Sequence, residues 1–307
     1  MSYKCNASAV QRGQLLAALA AFLGSQRRLQ VLSLENACLG VSEALRLLGA
    51  AARCSSATLG DLRLHAAFRE WQAPHASPKF SRALRRLSPL SALSLNYPAL
   101  SDATLVLLAE CCGPALRSLS VTVRDTDHRQ HALSQEAWTQ AAAACPHLRV
   151  VLNIEHIGHF EDICVLLLPA VPLCGFRLYS GSVWDQSRSR AFRATLRLLT
   201  AHYHQSLECV QLNLKNSREQ LDDVVLELLS RCRRLSFFQF DGVLRHLDTV
   251  KDICRLRLDA SINFQTIHVR PKIANNSIRA AAKDIATAFQ EPLSQRTVDF
   301  RIEVPAR

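Results

Sequence analysis

The sequence predicts an α/β solenoid, a stack of short parallel strands in which each strand is followed by a helix. Three observations indicate this fold. Leucines recur at spacings of three and two residues, apolar residues at helical spacing fill the intervals, and the strand positions between the leucines are polar. One such unit cannot bury its own apolar face, so it is stable only when it is stacked on copies of itself.

Residues 90–116 give the clearest copy of the repeat, with Leu93 and Leu95 in its predicted strand. The leucine spacing recurs along the chain with starts at Leu29, Leu59, Leu90, Leu116, Leu173, Leu207, Leu235 and Phe264. Variant strands are predicted at residues 148–155 and 298–304. Together these starts predict about ten repeats of 25–34 residues, a length that suits units with a full helix.

Apolar residues at i, i+3 and i+4 predict a helix in each interval between the strands. The predicted helices span residues 41–54, 80–87, 101–112, 134–145, 161–168, 188–204, 221–232, 244–254 and 278–289. Ser42, Ser101 and Ser134 are predicted N-caps, because a serine hydroxyl can accept a hydrogen bond from a free amide of the first helical turn. The chain has no Ser- or Gly-rich linker, so residues 29–307 are expected to form one repeat domain.

Residues 1–28 are expected to form an N-terminal helix that caps the stack. The apolar run at residues 14–24 follows Lys4 and Arg12, and a secretory signal begins in the same way. We favour a helix of the stack, because a repeat strand starts at Leu29 and the run is shorter than the roughly 20 residues of a membrane span. The sequence therefore predicts no membrane association and a cytoplasmic or nuclear location.

A (β/α)8 barrel also alternates strands and helices, but its strands are buried on both faces and consist of continuous apolar runs. Here Arg63 lies between Leu62 and Leu64, and polar residues flank Leu178 and Leu212 in the same way. One face of each strand is therefore expected to pack on helices while the other faces solvent. This pattern favours an open parallel sheet with an accessible polar face.

The composition is that of a globular protein, with 49% hydrophobic and 21% charged residues. The 37 lysines and arginines exceed the 26 acidic residues, so the formal net charge is +11, which favours acidic partners. The 11 cysteines include no CxxC pair, and several end predicted helices. They are interpreted as small core residues in a reducing compartment.

Residues 100–112 resemble the cysteine-containing leucine-rich repeats of F-box proteins, and the pattern recurs at residues 144–148 and 228–235. Residues 134–138, 167–173 and 201–207 are similar to a small subgroup of this family that has divergent repeats. The resemblance implies a leucine-rich-repeat solenoid, a ribonuclease-inhibitor-like horseshoe with the parallel sheet on its concave face and the helices on its convex face.

The resemblance also implies a role, because such repeats form the substrate-binding arm of an SCF-type E3 ubiquitin ligase, in which an F-box recruits the adaptor and cullin. Residues 1–28 contain no Leu-Pro and no recognisable F-box. Either the chain is a fragment or isoform whose F-box lies upstream, or it is a paralogue without one. Adaptor and cullin binding is expected only in the first case.

Motifs that carry chemistry are scarce in this sequence. Pairs of histidines occur at residues 128/131, 156/159 and 202/204, but none is accompanied by the second clustered pair of a convincing zinc site. No Gly-rich phosphate loop, nucleophile elbow or paired-carboxylate motif is present. The sequence therefore predicts a protein that is not an enzyme, with no cofactor and no metal.

The predicted function is recognition of a protein substrate, possibly acidic or phosphorylated, by side chains that project from the solvent face of the strands. These residues are Asp61, Arg63, His65, Ser94, Asn96, Arg177, Tyr179, Gln211, Asn213, His268 and Arg270. The alternative is a leucine-rich-repeat scaffold without an F-box, or a basic repeat protein that binds nucleic acid through Arg188, Arg190, Arg193 and Arg197. Nucleic acid is the less favoured partner, because no continuous basic stripe with stacking aromatic residues is evident.

Overall fold

The computed structural model describes residues 9–69, 71–127, 131–181, 190–259, 262–272 and 276–304. The chain divides into two compact units. Unit 1 comprises residues 1–121 and 126–148, and unit 2 comprises residues 122–125 and 149–307. Strand β4, at Ser118–Arg124, contributes residues to both units.

The described part of unit 1 alternates helices and strands in chain order. Its helices are α1 (Ala9–Ser25), α2 (Val41–Ser55), α3 (Pro78–Arg85), α4 (Asp102–Cys112) and α5 (Gln135–Ala144). Its strands before β4 are β1 (Val31–Ser33), β2 (Asp61–Arg63) and β3 (Ala92–Asn96). The strands pair in parallel, and each helix packs against the next helix in sequence. The leucine ladder Leu32–Leu62–Leu93 is in register and buried, which explains the spacing of the repeat.

The described part of unit 2 continues the same alternation with longer strands. Its strands are β5 (Arg149–Glu155), β6 (Leu173–Tyr179), β7 (Cys209–Asn213), β8 (Phe237–Gly242), β9 (Thr266–Pro271) and β10 (Asp299–Ile302). Its helices are α6 (Phe160–Cys164), α7 (Phe192–Tyr203), α8 (Asp222–Arg231), α9 (Asp248–Leu258) and α10 (Asn276–Ser294). Consecutive strands again pair in parallel.

Apolar side chains at matching register form the core of unit 2. The ladder Phe176, Val210, Phe238, Ile267 and Phe300 runs across β6 to β10, and each of these residues is buried. The residues between them alternate to the opposite face of the strands, as the period of two requires. The predicted α/β leucine-rich-repeat fold, with parallel strands buried on one face by helices, is confirmed.

The helix caps show where sequence reasoning worked and where it failed. Ser101 accepts a hydrogen bond from the Thr104 amide, and Ser134 accepts one from the Ala137 amide, so both predicted N-caps are confirmed. The prediction for Ser42 is wrong because α2 begins at Val41. A Glu43 carboxylate oxygen instead accepts a hydrogen bond from the Gly40 amide at 2.6 Å.

Several predicted helix boundaries are also corrected. The predicted helix at residues 188–204 begins at Phe192, because Ala191 adopts a left-handed conformation with φ 49° and the Glu219 carboxylate accepts hydrogen bonds from the amides of Phe192 and Arg193. The predicted helix at 161–168 shortens to Phe160–Cys164, and the one at 244–254 shifts to Asp248–Leu258. The helix predicted at 278–289 extends to Asn276–Ser294.

The ten described cysteines are free thiols, and half of them are buried. Burial raises the pKa of Cys112 to about 11 and the pKa of Cys232 and Cys254 to about 12, as expected for thiols that act as small core residues. Cys38 and Cys54 are exposed, so the core interpretation is wrong for these two positions.

Helix α1 packs on α2 through Leu16, Ala20 and Leu23, which are buried. Its opposite face keeps Leu15 at 66% and Phe22 at 58% exposure. In the part of the chain that the structure describes, no helix has both the length and the hydrophobicity needed to cross a bilayer. The division into a cap at residues 1–28 and one domain at 29–307 remains a prediction.

Candidate recognition face

The solvent-facing side of the strands in unit 2 carries three rows of side chains, which we call the exposed strand face. Each row follows the strand register, so its members are lateral neighbours across adjacent strands. The first row contains Val151, Gly175, Cys209, Phe237, Thr266 and Asp299. The middle row contains Asn153, Arg177, Gln211, Gln239, His268 and Arg301. The third row contains Glu155, Tyr179, Asn213, Asp241 and Arg270.

Side chains in the middle and third rows bond to each other across the strands. Gln211 donates from Nε2 to Gln239 Oε1 at 3.0 Å, and Asn213 donates from Nδ2 to Asp241 Oδ2 at 3.1 Å. These bonds link β7 to β8 and hold four side chains in defined positions. A partner therefore meets a largely ordered polar surface in this part of the face.

Lys272 reaches back over two strands to the third row. Its Nζ donates hydrogen bonds to Asn213 Oδ1 and to the Leu214 carbonyl, each at 2.9 Å, and lies 3.4 Å from Asp241 Oδ1. That Asp241 oxygen is buried and has no hydrogen-bond partner among the described residues, so the ammonium group supplies its nearest positive charge. The ammonium group of Lys272 therefore compensates the negative charge of a largely buried carboxylate.

Asp299 organises the end of the face at β9 and β10. Its Oδ1 accepts a hydrogen bond from Arg301 Nε at 3.0 Å, and its Oδ2 lies 2.9 Å from His268 Nε2. The Arg301 hydrogen bond and then the His268 contact hold the pKa of the Asp299 carboxyl below its usual value. Arg270 pairs with Glu303 nearby, at 3.4 Å.

A shallow depression of about 150 Å³ lies between β8, β9 and β10. It is lined by Gln239, Phe240, Asp241, His268, Val269, Arg270, Arg301 and Glu303. Most of the lining is polar, and its charged groups are paired, Arg270 with Glu303 and the others with Asp299 or Lys272 beside the depression. The depression can accept a small polar side chain of a partner, but it does not enclose a ligand.

The five predicted site residues in unit 1 are engaged differently. Arg63 donates two hydrogen bonds to Asp61 Oδ2 within β2. Asn96 Oδ1 accepts a hydrogen bond from the Ala66 amide at 2.6 Å, which gives it a structural role in the repeat. The Ser94 hydroxyl is buried without a hydrogen-bond partner among the described residues, and His65 is half-buried. The solvent-exposed group of this set is Arg63.

The structure places all six of the predicted site residues of unit 2 on the exposed strand face. Sequence analysis missed Gln239, Asp241 and Arg301, although Gln239 and Asp241 flank Phe240 just as the predicted residues flank Leu178 and Leu212. The same alternation rule would have found these two. Lys272 follows β9 and joins the face through the length of its side chain, which alternation does not predict.

The predicted histidine pairs do not assemble into a cluster with other ligating residues. No group of three or more histidines, cysteines and carboxylates with metal-site geometry occurs among the described residues. His202 has its Nδ1 3.0 Å from the Leu167 carbonyl oxygen, which fixes the ring against the segment between α6 and β6. His128 lies outside the described residues.

The arginines considered for nucleic-acid binding are largely occupied. Arg190 donates to the Lys215 carbonyl, and Arg193 donates from Nη1 to Asp223 Oδ1 at 2.6 Å. Arg197 is exposed on α7, and Arg188 lies outside the described residues. Because α7 begins at Phe192, Arg190 precedes the helix, and α7 carries Arg193 and Arg197 of this set.

Comparison with known proteins agrees with the repeat pattern. No protein-family model matches the sequence. The chain is 32% identical to F-box/LRR-repeat protein 8 of Bos taurus over 109 residues, which cover 36% of this chain and 27% of that protein. It is 30% identical to F-box/LRR-repeat protein 8 of Mus musculus over 169 residues, which cover 54% of this chain and 43% of that protein. Over these stretches the chain is similar in sequence to F-box/LRR-repeat proteins.

The resemblance to F-box/LRR-repeat proteins is thereby confirmed over part of the chain. The chain spans less than half the length of the two relatives over the matched regions. A solved structure, the leucine-rich repeat-containing protein LegL7 from Legionella pneumophila, aligns over 93% of this chain and 86% of its own, with a TM-score of 0.48 and 15% identity.

Proposed function

We propose that the chain is a non-catalytic module that recognises a protein partner through the exposed strand face. The supporting observation is the set of polar side chains in the middle and third rows from β5 to β10, which point away from the core and contact each other between β5 and β6, between β7 and β8, and between β9 and β10. An array of this kind collects affinity from many modest contacts over several repeats. Its order lowers the entropy lost when a partner binds.

We further propose that this module is the substrate-binding arm of an SCF-type E3 ubiquitin ligase, acting in the cytoplasm or nucleus. The sequence similarity to F-box/LRR-repeat protein 8 supports this role. The role requires an F-box, which residues 1–307 do not show. A leucine-rich-repeat scaffold without ligase function is therefore the competing proposal.

The recognition proposal is tested with a partner identified by cross-linking and mass spectrometry and then purified. The test variant carries Gln211→Ala, Gln239→Ala and His268→Ala, one middle-row change on each of three adjacent strands. The control variant carries Arg197→Ala, Glu227→Ala and Lys251→Ala on three helices of the same unit. We expect the strand-face variant to weaken binding by at least about tenfold, because truncation of several central contacts removes a few kcal/mol. Equal binding by both variants and the wild type would show that recognition lies elsewhere.

The ligase proposal has its own test, because recognition and ligase assembly can fail separately. The transcript is sequenced upstream of the Met1 codon, and its full-length product is tested for co-purification of a cullin complex. An in-frame F-box together with cullin capture supports the ligase. Partner binding without cullin capture by the full-length product supports the scaffold.

A further inference from the structure

On the exposed strand face, every described lysine and arginine except one is paired with a carboxylate. Arg270 pairs with Glu303, Lys272 with Asp241 and Arg301 with Asp299. On the neighbouring β4, Arg124 donates to Glu155 at 2.9 Å. These cations are already occupied by carboxylates of the same face, so they have little attraction left for an acidic partner.

Arg177 in β6 is the exception. It is exposed, and no described carboxylate lies within 4.0 Å of its guanidinium group. Its register neighbours are the neutral amides Asn153 and Gln211, and its contacts with described side chains are a hydrogen bond from Nη1 to Asn153 Oδ1 at 3.4 Å and one to the Cys209 thiol. Arg177 also lies beside the Cys209 thiol, whose pKa is raised by burial. The guanidinium therefore keeps most of its donors for a ligand.

Tyr179 lies two residues further along the same strand and on the same face. Its side chain is 44% exposed, which is unusual for a large aromatic residue on this face. The ring packs edge-to-face against His156, with centroids 4.9 Å apart and an interplanar angle of 83°. Tyr179 is therefore a large, supported apolar surface next to a cation that has no carboxylate partner among the described residues.

Gly181 allows His156 to support the tyrosine. Its backbone has φ +57°, and a Cβ at this position would collide with His156 Nδ1. His156 itself adopts a left-handed conformation with φ 64° at the end of β5. The left-handed backbone of His156, together with the missing side chain of Gly181, thus places one imidazole behind Tyr179, and strain at a non-glycine residue is often found at functional positions.

We propose that Arg177 and Tyr179 form the anchor of the exposed strand face and that they bind the carboxylate of an aspartate or glutamate side chain in a protein partner. This inference rests on the proposed function and names its partner chemistry. Arginine and tyrosine are enriched among the residues that dominate binding energy at protein interfaces. A planar guanidinium matches a carboxylate with two parallel hydrogen bonds.

The charge count favours a carboxylate over a phosphate. A phosphate monoester carries nearly two negative charges at neutral pH and is best bound by more than one free cation. The exposed strand face offers one such cation among its described residues, because its other lysine and arginine groups are paired. A single carboxylate therefore balances the unpaired charge, with Tyr179 contacting the apolar part of the acidic residue or of its neighbour.

The anchor is tested with synthetic pools of random dodecapeptides that share one fixed central residue: glutamate, glutamine or phosphoserine. Binding of the fluorescently labelled chain is measured for each pool. The wild type is expected to bind the glutamate pool about tenfold more tightly than the glutamine pool, as the loss of one charge-assisted pair predicts. In Arg177→Gln the two pools should bind equally, whereas the matched control Arg301→Gln should keep the preference.

Tyr179→Ala is expected to weaken binding to all pools while the preference for glutamate persists. The proposal is overturned if Arg177→Gln keeps the wild-type preference, if the phosphoserine pool binds more tightly than the glutamate pool, or if no pool binds above background. Thermal unfolding of each variant confirms that the fold is intact. Failure here leaves the broader proposal testable, because the Gln211, Gln239 and His268 variant retains Arg177.

Discussion

The strand faces of the two units are built from the same repeat but differ in how their polar side chains are used. In unit 1, Arg63 bonds within its own strand and Asn96 caps a backbone amide of the neighbouring repeat. In unit 2, Gln211 and Asn213 bond to side chains of the next strand. The polar side chains of unit 1 therefore bond within the repeat itself. Those of unit 2 bond to one another on the solvent-facing side of the strands.

Strand length accounts for much of this difference. Strands β1 and β2 have three residues each, whereas β5 and β6 have seven. Since side chains alternate between faces, a three-residue strand offers two outward positions and a seven-residue strand offers three or four. Three full rows can form only where neighbouring strands are long, which is why we place recognition in unit 2.

The largest effect is expected from a substitution that truncates a core side chain beneath the exposed strand face. Phe240 is 1% exposed and lies in register with Leu212 and Val269. We expect Phe240→Ala to lower the free energy of unfolding of unit 2 by about 3–5 kcal/mol, because the cavity cannot be refilled. Urea denaturation measures the loss, and hydrogen exchange should locate it in β7 to β9.

Gln239→Ala is the matched control, since its side chain leaves the same strand on the opposite face. Its effect should stay within about 0.5 kcal/mol. Equal losses from the two substitutions would contradict the assignment of inward and outward faces.

A second test concerns acid stability in unit 1. Glu43 accepts hydrogen bonds from Arg12 and from the Gly40 amide, and the Arg12 hydrogen bond is the main cause that lowers its pKa to about 2. Because the folded pKa lies below the unfolded value, this stabilisation is complete above about pH 4.5 and is lost as the pH falls towards 2.

Glu43→Gln should therefore cost about 1–2 kcal/mol at pH 7, a figure reduced for partial solvent exposure, and should flatten the acid limb of the stability curve. Denaturation at a series of pH values measures both effects. An unchanged acid limb would mean that the pair between α1 and α2 does not couple folding to protonation.

A third test compares two polar side chains of β3, one that accepts a backbone hydrogen bond and one that has no described partner. Asn96→Ala leaves the Ala66 amide without its acceptor, so it should destabilise unit 1 by about 1–2 kcal/mol. Ser94→Ala removes a buried hydroxyl that has no described partner and should be neutral or slightly stabilising. Thermal unfolding of the two variants side by side is sufficient. A larger loss of stability from Ser94→Ala than from Asn96→Ala would contradict the structural role given to Asn96.

The smallest expected effect is a pH response of unit 1 near neutrality. The ring centroid of His131 lies 4.0 Å from that of His75, and the same ring stacks on Tyr97. Burial is the main cause that lowers the pKa of His131, and the His75 charge adds to it, while the Leu100 carbonyl and Asp102 act in the opposite direction. The neutral ring is thus favoured in the folded state.

Since the unfolded state binds the proton more readily, the free energy of unfolding should decrease as the pH falls below about 6.5. The difference in stability between wild type and His131→Gln, measured at pH 8 and pH 5.5, isolates this contribution. A constant difference across that range would rule out a role for His131 in it.

Sequence reasoning succeeded where a local period dictates structure. The leucine spacing located eight of the ten described strands, period-two alternation located β5 and β10, and the serine hydroxyls at Ser101 and Ser134 marked two helix starts. It failed at Ser42 and at the start of α7, because Glu43 bonds the amide of the N-cap residue Gly40 and the distant Glu219 bonds the amide of Phe192. Helix ends depend on whichever acceptor is closest in space, and Glu219 is 27 residues away from the amide it caps.

The sequence by itself determined the repeat, the buried ladder and the side of each strand that faces solvent, because these follow from periods of two and of helical spacing. The tertiary structure decided which outward charges neutralise each other. Lys272 meets Asn213 across 59 residues of chain, and His268 meets Asp299 across 31. Among the described residues Arg177 has no carboxylate partner, because the strand register places the amides of Asn153 and Gln211 beside it.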